Sequence, residues 1–93
     1  MAVADKDFPS SQAFDLIAQV LEDEETKKEM MKNAKAIFGF DLTSPDGSKQ
    51  ESWWIDLKEE GKVGKGEKKS DVRLIMKDEI FQQLTEGKAN AQY

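Results

Sequence analysis

The most constraining feature of this 93-residue sequence is a pair of alternating segments that flank a single turn. Residues 36–43 and 51–58 carry apolar side chains at every second position, a period typical of strands with one buried face. The alternating residues are Phe38, Phe40 and Leu42 in the first segment, and Trp53, Ile55 and Leu57 in the second. Between them, Pro45 presets φ, Asp46 bonds its own backbone and Gly47 tolerates positive φ. The sequence therefore predicts an antiparallel β-hairpin.

Two helices are predicted before the hairpin. From near Gln12, apolar residues recur at three- and four-residue spacings, and either Ser10 or Ser11 can cap the start of this helix. A second helix is predicted over residues 26–35, where acids come first and lysines last, the order that the helix dipole favours.

Further strands and a third helix are predicted after the hairpin. Residues 71–77 alternate again, and residues 61–69 fit a short edge strand protected by charge, with a flexible loop. Asp78 can cap a helix that ends near Glu86, and Gly87 supplies the left-handed residue of its C-terminus.

This order is helix, helix, hairpin, strands, helix. Because the strands are grouped, it predicts an α+β fold with a mostly antiparallel, twisted sheet and the helices packed on one face. We expect residues 1–9 to form a flexible N-terminus and residues 10–93 to form one domain.

Composition excludes several classes of function. The chain has no Cys and no His, which removes disulfides, thiolate nucleophiles, ordinary zinc sites and a base that titrates near neutrality. A net charge of −5 makes nucleic acid an unfavourable partner. No apolar run is long enough to span a bilayer, and no signal peptide is recognisable. We expect a protein that is not an enzyme and that uses no metal or cofactor.

Three charged segments admit other interpretations. The acidic run 22–25 could be a docking surface or a calcium site, although a solvated helix start explains it better. The glycines and lysines of residues 61–69 lack the order of a phosphate-binding loop. Paired carboxylates at Glu59 and Glu60, or at Asp78 and Glu79, would point apart and have no partner base.

Several segments together resemble the sterol-carrier-protein type 2 domain, the non-specific lipid-transfer protein family, and most closely its fungal single-domain type. The segments are Ile-Phe-Gly-Phe-Asp-Leu at 37–42, Trp-Trp-Ile-Asp-Leu-Lys at 53–58, Asp-Val-Arg-Leu-Ile-Met at 71–76, Asp-Glu-Ile-Phe at 78–81 with Leu84, and Thr-Glu-Gly-Lys at 85–88. The resemblance covers about residues 10–92. Relative to the family, we expect this chain to be truncated at the C-terminus, without the last strand, the C-terminal helix or a Ser-Lys-Leu-like targeting tripeptide.

The resemblance implies non-catalytic binding and transfer of a lipid (a fatty acid, acyl-CoA, sterol or phospholipid) in an apolar tunnel between sheet and helices. The expected lining residues are Ile17, Leu21, Phe38, Phe40, Trp53, Ile55, Leu74, Met76, Ile80, Phe81 and Leu84. It also implies a peroxisomal location, with the cytoplasm as the alternative, and transient membrane contact. The alternative function is a truncated, association-prone interaction fragment that lacks a complete lipid site. We expect a monomer, with self-association possible through an exposed sheet edge.

Overall fold

The computed structural model describes residues 3–85. A 3₁₀ turn, Pro9–Ser11, leads into helices α1 (Gln12–Val20) and α2 (Glu24–Ala34), which precede strands β1 (Ile37–Thr43) and β2 (Gln50–Asp56). Strands β3 (Lys62–Lys65) and β4 (Val72–Lys77) follow, and β4 runs directly into helix α3 (Asp78–Thr85). The predicted order of elements is confirmed. The predicted end of the third helix, at Glu86 and Gly87, lies outside the described residues.

The four strands form one mixed sheet in the order β3-β2-β1-β4. Strand β1 pairs antiparallel with β2, placing Phe40 opposite Trp53, and β2 pairs antiparallel with β3. Strand β1 also pairs parallel with β4, so that Phe40 has Leu74 on its other side. The α+β class is therefore confirmed. The parallel pair is a feature that the alternation of residues 71–77 alone did not reveal.

The parallel pairing requires the chain to pass from one edge of the sheet to the other between β3 and β4. Residues 66–71 make this crossing, with the Lys68 ammonium 4.7 Å from the centroid of the Trp54 ring. Gly39 leaves room for it, because a Cβ there would lie 2.8 Å from Ser70 Oγ. We call this side of the sheet, which carries Gly39 and Trp54, the outer face. The opposite side, which carries Phe40, Trp53 and Leu74, is the inner face.

The core lies on the inner face and is largely aromatic. Phe14 of α1 stacks on Trp53 with ring centroids 5.3 Å apart, and on Phe81 of α3 at 4.9 Å. Phe40 packs against both Phe14 and Phe81. The buried hydrophobic residues are Phe8, Phe14, Leu21, Phe40, Leu42, Trp53, Ile55, Leu57 and Phe81.

The segment before the 3₁₀ turn contributes to this core. Phe8 is fully buried and meets the Trp53 ring edge-on, with centroids 5.3 Å apart. The Trp53 Nε1–H donates a hydrogen bond to the backbone carbonyl of Val3 at 2.8 Å. Phe8 stands apart from the helical stripe in the sequence, so no periodicity indicated that it would pack here.

The predicted caps of α1 and α3 are wrong. Ser11 has helical dihedrals, and its hydroxyl donates back to the Phe8 carbonyl at 2.6 Å instead of capping α1. Asp78 is already the first residue of α3, and its Oδ1 accepts hydrogen bonds from the backbone N–H and the hydroxyl of Ser10 at 3.0 and 2.5 Å. Both side chains hold the 3₁₀ turn in place.

Helix α2 carries the acidic run at its start, as its charge order predicts. Asp23 Oδ2 accepts a hydrogen bond from Thr26 N–H at 3.1 Å, and Lys35 ends the helix in the left-handed conformation. The Thr26 hydroxyl and N–H both bond the Asp23 carboxylate and lower its pKa. In residues 3–85 we find no helix with the length and apolar character needed to cross a membrane.

Candidate functional site

The inner face is covered at one side and open at the other. In the row through the sheet centre, Trp53 of β2 is fully buried and Phe40 of β1 is 9% exposed, whereas Leu74 of β4 is 37% exposed. The neighbouring row shows the same gradient, from Ile55 at 7% to Val72 at 41%. Burial of apolar side chains therefore stops at β4, although the inward alternation continues through it.

Helix α3 adjoins the open part of this face. It packs against β4, β1 and the 3₁₀ turn, buries Phe81 and leaves Ile80 42% exposed. Phe38 and Met76 are partly buried and pack against the core beside Val72 and Leu74. We call the set Phe38, Val72, Leu74, Met76 and Ile80 the open apolar face.

The structure divides the eleven predicted lining residues into three groups. Five are buried in the core: Leu21, Phe40, Trp53, Ile55 and Phe81. Four are half-buried: Ile17, Phe38, Met76 and Leu84. Leu74 and Ile80 are exposed. Most of the set thus lies on the inner face, with the exposed members at the side of β4 and α3.

Four exposed large apolar residues among residues 3–85 were not in the predicted set, and one of them, Ile75 of β4, lies on the outer face. Val72 alternates with Leu74 and Met76, and this pattern was a sufficient signal to include it. Leu16 and Val20 of α1 are 61% and 46% exposed. Both lie about 160° around the helix from Ala18, which faces the β3 side. Together they extend the apolar stripe of α1 beyond the part of the helix that contacts the sheet.

Clefts also lie elsewhere on the surface of residues 3–85. One of about 450 Å³ opens between α1, α2 and β3; Val3, Ala18, Leu21 and Val63 provide its apolar lining, and charged residues stand at its rim. Another of about 410 Å³ borders the hairpin turn and is lined by polar and charged residues including Lys6, Asp7 and Lys49. Of the predicted lining residues, only Leu21 borders either cleft.

The outer face is held by polar contacts. Arg73 forms a two-point hydrogen-bonded pair with Asp41, whose Oδ1 also accepts from the Ser52 hydroxyl at 2.6 Å. Although burial opposes it, these bonds from Arg73 and Ser52 lower the pKa of Asp41. Within residues 3–85, no three acidic side chains converge closely enough to hold a metal ion. The inner face is thus the apolar side of the sheet and the outer face its charged side.

The sheet is mixed, and its apolar inner face is incompletely covered at the side of β4. The SCP-2 sterol transfer family model matches residues 15–93, and the chain belongs to that family.

Similar proteins agree with this assignment. A "Fatty acid-binding protein" of Yarrowia lipolytica is 48% identical over an alignment of 92 residues that covers 91% of this chain and 70% of that protein. The "Oleate-induced peroxisomal protein POX18" of Candida maltosa is 35% identical, covering 99% of this chain and 74% of that one. The apo structure of Sterol Carrier Protein 2 from Yarrowia lipolytica superposes with a TM-score of 0.89 at 45% identity, over 99% of this chain and 83% of that one.

Proposed function

We propose that this protein binds lipids without catalysis and carries them between membranes or enzymes. The acyl chain or the sterol ring system lies in a tunnel between the sheet and the helices. The open apolar face forms the exposed part of that tunnel. The exposure gradient from Trp53 through Phe40 to Leu74 is the observation that carries the proposal, because it leaves inward-pointing side chains of β4 partly exposed among the described residues. Family membership and the fatty-acid binding of the Yarrowia lipolytica relative support the same ligand class.

The physical basis is withdrawal of hydrocarbon from water. Each methylene removed from water contributes about 0.8 kcal/mol, so a long acyl chain supplies enough free energy to offset the loss of its own freedom. This contribution is non-directional, and it therefore favours fatty acids, acyl-CoA, sterols and phospholipids according to length and shape. The proposed lining residues are the eleven given above together with Val72.

Leu74 and Ile75 provide a matched test, because adjacent residues of β4 point to opposite faces. We expect Leu74→Gln to weaken the binding of a fluorescent fatty acid about tenfold, since it places an amide on the open apolar face. Ile75→Gln, on the outer face, should leave the affinity unchanged. Displacement of the probe by unlabelled fatty acid gives both affinities. Equal affinities for the two variants, or no saturable binding by the folded wild type, would overturn the proposal.

We further propose that the protein works in the peroxisome, because the Candida maltosa relative is a peroxisomal protein. Imaging an N-terminal fluorescent fusion against a peroxisomal marker tests this. Co-localisation supports the peroxisome, and a diffuse signal assigns the protein to the cytoplasm.

A further inference from the structure

We infer that helix α2 is a lid over the route by which a lipid reaches the inner face, and that its contact with Gly61 holds this lid closed. The inference rests on the proposed function and adds to it the route by which the site is filled and emptied. It concerns the β3 side of the sheet, which is the far side from β4 and the open apolar face.

Helix α2 is weakly attached to the rest of the fold. Alone among the helices of residues 3–85, it contains no buried residue. In the same part of the chain, no side-chain hydrogen bond or ion pair joins it to another element, since Asp23 and Thr26 bond each other at its start. Its attachment to the core is apolar, through the partly buried Met30, Met31 and Ala34. Elements with few buried contacts open at the lowest free-energy cost, so α2 is the helix best suited to move.

Gly61 provides the contact between α2 and the turn that joins β2 to β3. It is buried, with a φ of 64°. A Cβ at this position would lie 2.5 Å from Cε and 2.9 Å from Cγ of Lys27, and 3.0 Å from Sδ of Met31. The Cε can swing aside, but the Cγ follows the helix backbone closely. A residue larger than glycine would therefore press α2 away from the turn.

The cleft of about 450 Å³ between α1, α2 and β3 is the space that this lid borders, with Lys27 and Gly61 at its wall. Val63 in its lining lies opposite Ile55 in the β2–β3 pair, and so belongs to the inner face. Leu21 lines the cleft and is also part of the buried core. The volume is within the range of small-molecule sites. The apolar floor thus adjoins the core directly, and the occupant that fits it is the hydrocarbon chain of a lipid.

The two ends of α2 supply the hinges. Residues 21–23 form the turn between α1 and α2, and Lys35 ends α2 with a φ of 48°. Hinges are typically a few residues at the ends of elements, where the backbone torsion angles can change. The sheet is held independently of α2, because Ile37 N–H at the start of β1 donates to Asp71 Oδ2 at 3.0 Å. Rotation about the two hinges would extend the cleft along the inner face without disturbing the strands.

Two glycine substitutions in the full 93-residue chain test the lid. Gly61→Ala adds a side chain that clashes with α2 only when the lid is closed, so we expect it to speed binding and release of a fluorescent fatty acid about tenfold. Gly47→Ala is the matched control, since its φ of 77° imposes a similar backbone strain but a Cβ there meets nothing within 4 Å. It should leave both rates unchanged. Stopped-flow mixing with the probe measures binding, and mixing of the loaded protein with excess unlabelled fatty acid measures release.

A disulfide tests the same lid in the opposite direction. The chain has no cysteine, and Lys27 Cγ, which marks the place of a cysteine Sγ, lies 2.9 Å from a Cβ at position 61. The double variant Lys27→Cys, Gly61→Cys can therefore form one disulfide between α2 and the turn. In the oxidised form we expect binding and release about tenfold slower than in wild type, because the lid cannot open. Dithiothreitol should restore rates at least as fast as those of wild type.

Affinity separates this inference from the proposed function. Binding and release share the opening of the lid, so the affinity of each variant should change much less than its rates. A folded wild type that binds no probe would overturn the proposed function and the lid with it. Saturable binding with equal release rates in Gly61→Ala and Gly47→Ala, or in the oxidised and reduced double variant, would overturn the lid alone. The lipid would then exchange through the open apolar face.

Hydrogen exchange of the wild type tests the lid without a change at position 61, in case that position tolerates no side chain. Amides of α2 should exchange faster than those of α1, and they should slow when fatty acid is bound. Equal protection of α1 and α2 in the lipid-free protein would overturn the inference.

Discussion

At the scale of single residues, Phe14 links its own helix to three other elements. Its ring lies between those of Trp53 and Phe81, with interplanar angles of 6° and 17°, and it contacts Phe40 edge-on. Stacked and edge-on ring pairs contribute beyond the area they bury. Phe14 therefore links α1 to β1, β2 and α3, and it forms part of the core behind the open apolar face.

Replacing Phe14 should remove much of the stability of so small a protein. We expect Phe14→Ala to lower the free energy of unfolding by about 3–5 kcal/mol, because it leaves a cavity between two rings. Leu16→Ala, two residues away and 61% exposed, should change it by less than about 0.5 kcal/mol. Urea denaturation measures both, and equal losses would contradict the packing described for α1.

Asp46 in the hairpin turn makes the turn sensitive to acid. The Ser48 N–H and the hydroxyls of Ser44 and Ser48 bond its Oδ1 and lower its pKa from 3.8 to about 2. A lowered pKa in the folded state stabilises the fold at pH values above the unfolded pKa. That stabilisation diminishes as the pH falls from 3.8 through about 2.

We therefore expect wild type to be more stable than Asp46→Asn at pH 6, with a difference that shrinks steadily below pH 4. Urea midpoints at a series of pH values measure it. Because Asp5, Asp23, Asp41 and Asp56 also have lowered pKa values, the prediction concerns the difference between the two proteins and not the wild-type curve alone. A difference that is constant with pH would contradict it.

At the scale of elements, the 3₁₀ turn and α3 are joined by a buried carboxylate. Asp78 is 1% exposed, and the backbone N–H and hydroxyl of Ser10 both donate to it. Hydrogen bonds to a buried charged group contribute more than neutral ones, and a donor left without its partner is costly. This link positions α3, and with it Ile80 and Phe81, against the sheet.

We expect Asp78→Ala to destabilise the protein by about 1–3 kcal/mol and to speed hydrogen exchange in α3 and the 3₁₀ turn together. Glu79→Ala, at the next and exposed position, should leave both measurements near wild type. Faster exchange confined to α3 would show that the two elements are not coupled through Asp78.

Elements with a local signal were predictable from the sequence. The β1–β2 hairpin follows from alternation and turn residues, and helix α2 follows from its charge order. The parallel partner of β4 was not predictable, because pairing between distant segments leaves no local pattern. Neither was the role of Phe8, nor the use of Ser11, whose hydroxyl donates to the Phe8 carbonyl, nor that of Asp78, which accepts from Ser10 across the fold.

The same distinction applies to the candidate site. Alternation indicated which residues point inward, and the structure places Phe40, Trp53 and Ile55 there. The sequence could not separate fully buried residues from partly exposed ones, because burial depends on which elements cover each strand. Leu74 and Phe40 have equivalent positions in their patterns, yet among the described strands β4 lies at the edge of the sheet and β1 in its interior.

At the scale of the whole molecule, the affinity of the open apolar face for a fatty acid should depend on the length of the hydrocarbon chain. We expect the affinity for saturated fatty acids to increase by up to about 0.8 kcal/mol per methylene and then to level off once the face is covered. The heat-capacity change of binding should become more negative over the same range. Titration calorimetry measures both, and an affinity independent of chain length would contradict an apolar site.

The crossing of residues 66–71 has a consequence for synthesis. Strand β4 is synthesised after β1, β2 and β3, and it pairs with β1 at the far side of the sheet from β3. We therefore expect the hairpin to pair during translation before β4 and α3 leave the ribosome. On the proposed function, we expect a growing chain to take up lipid only after β4 and α3 have joined the sheet.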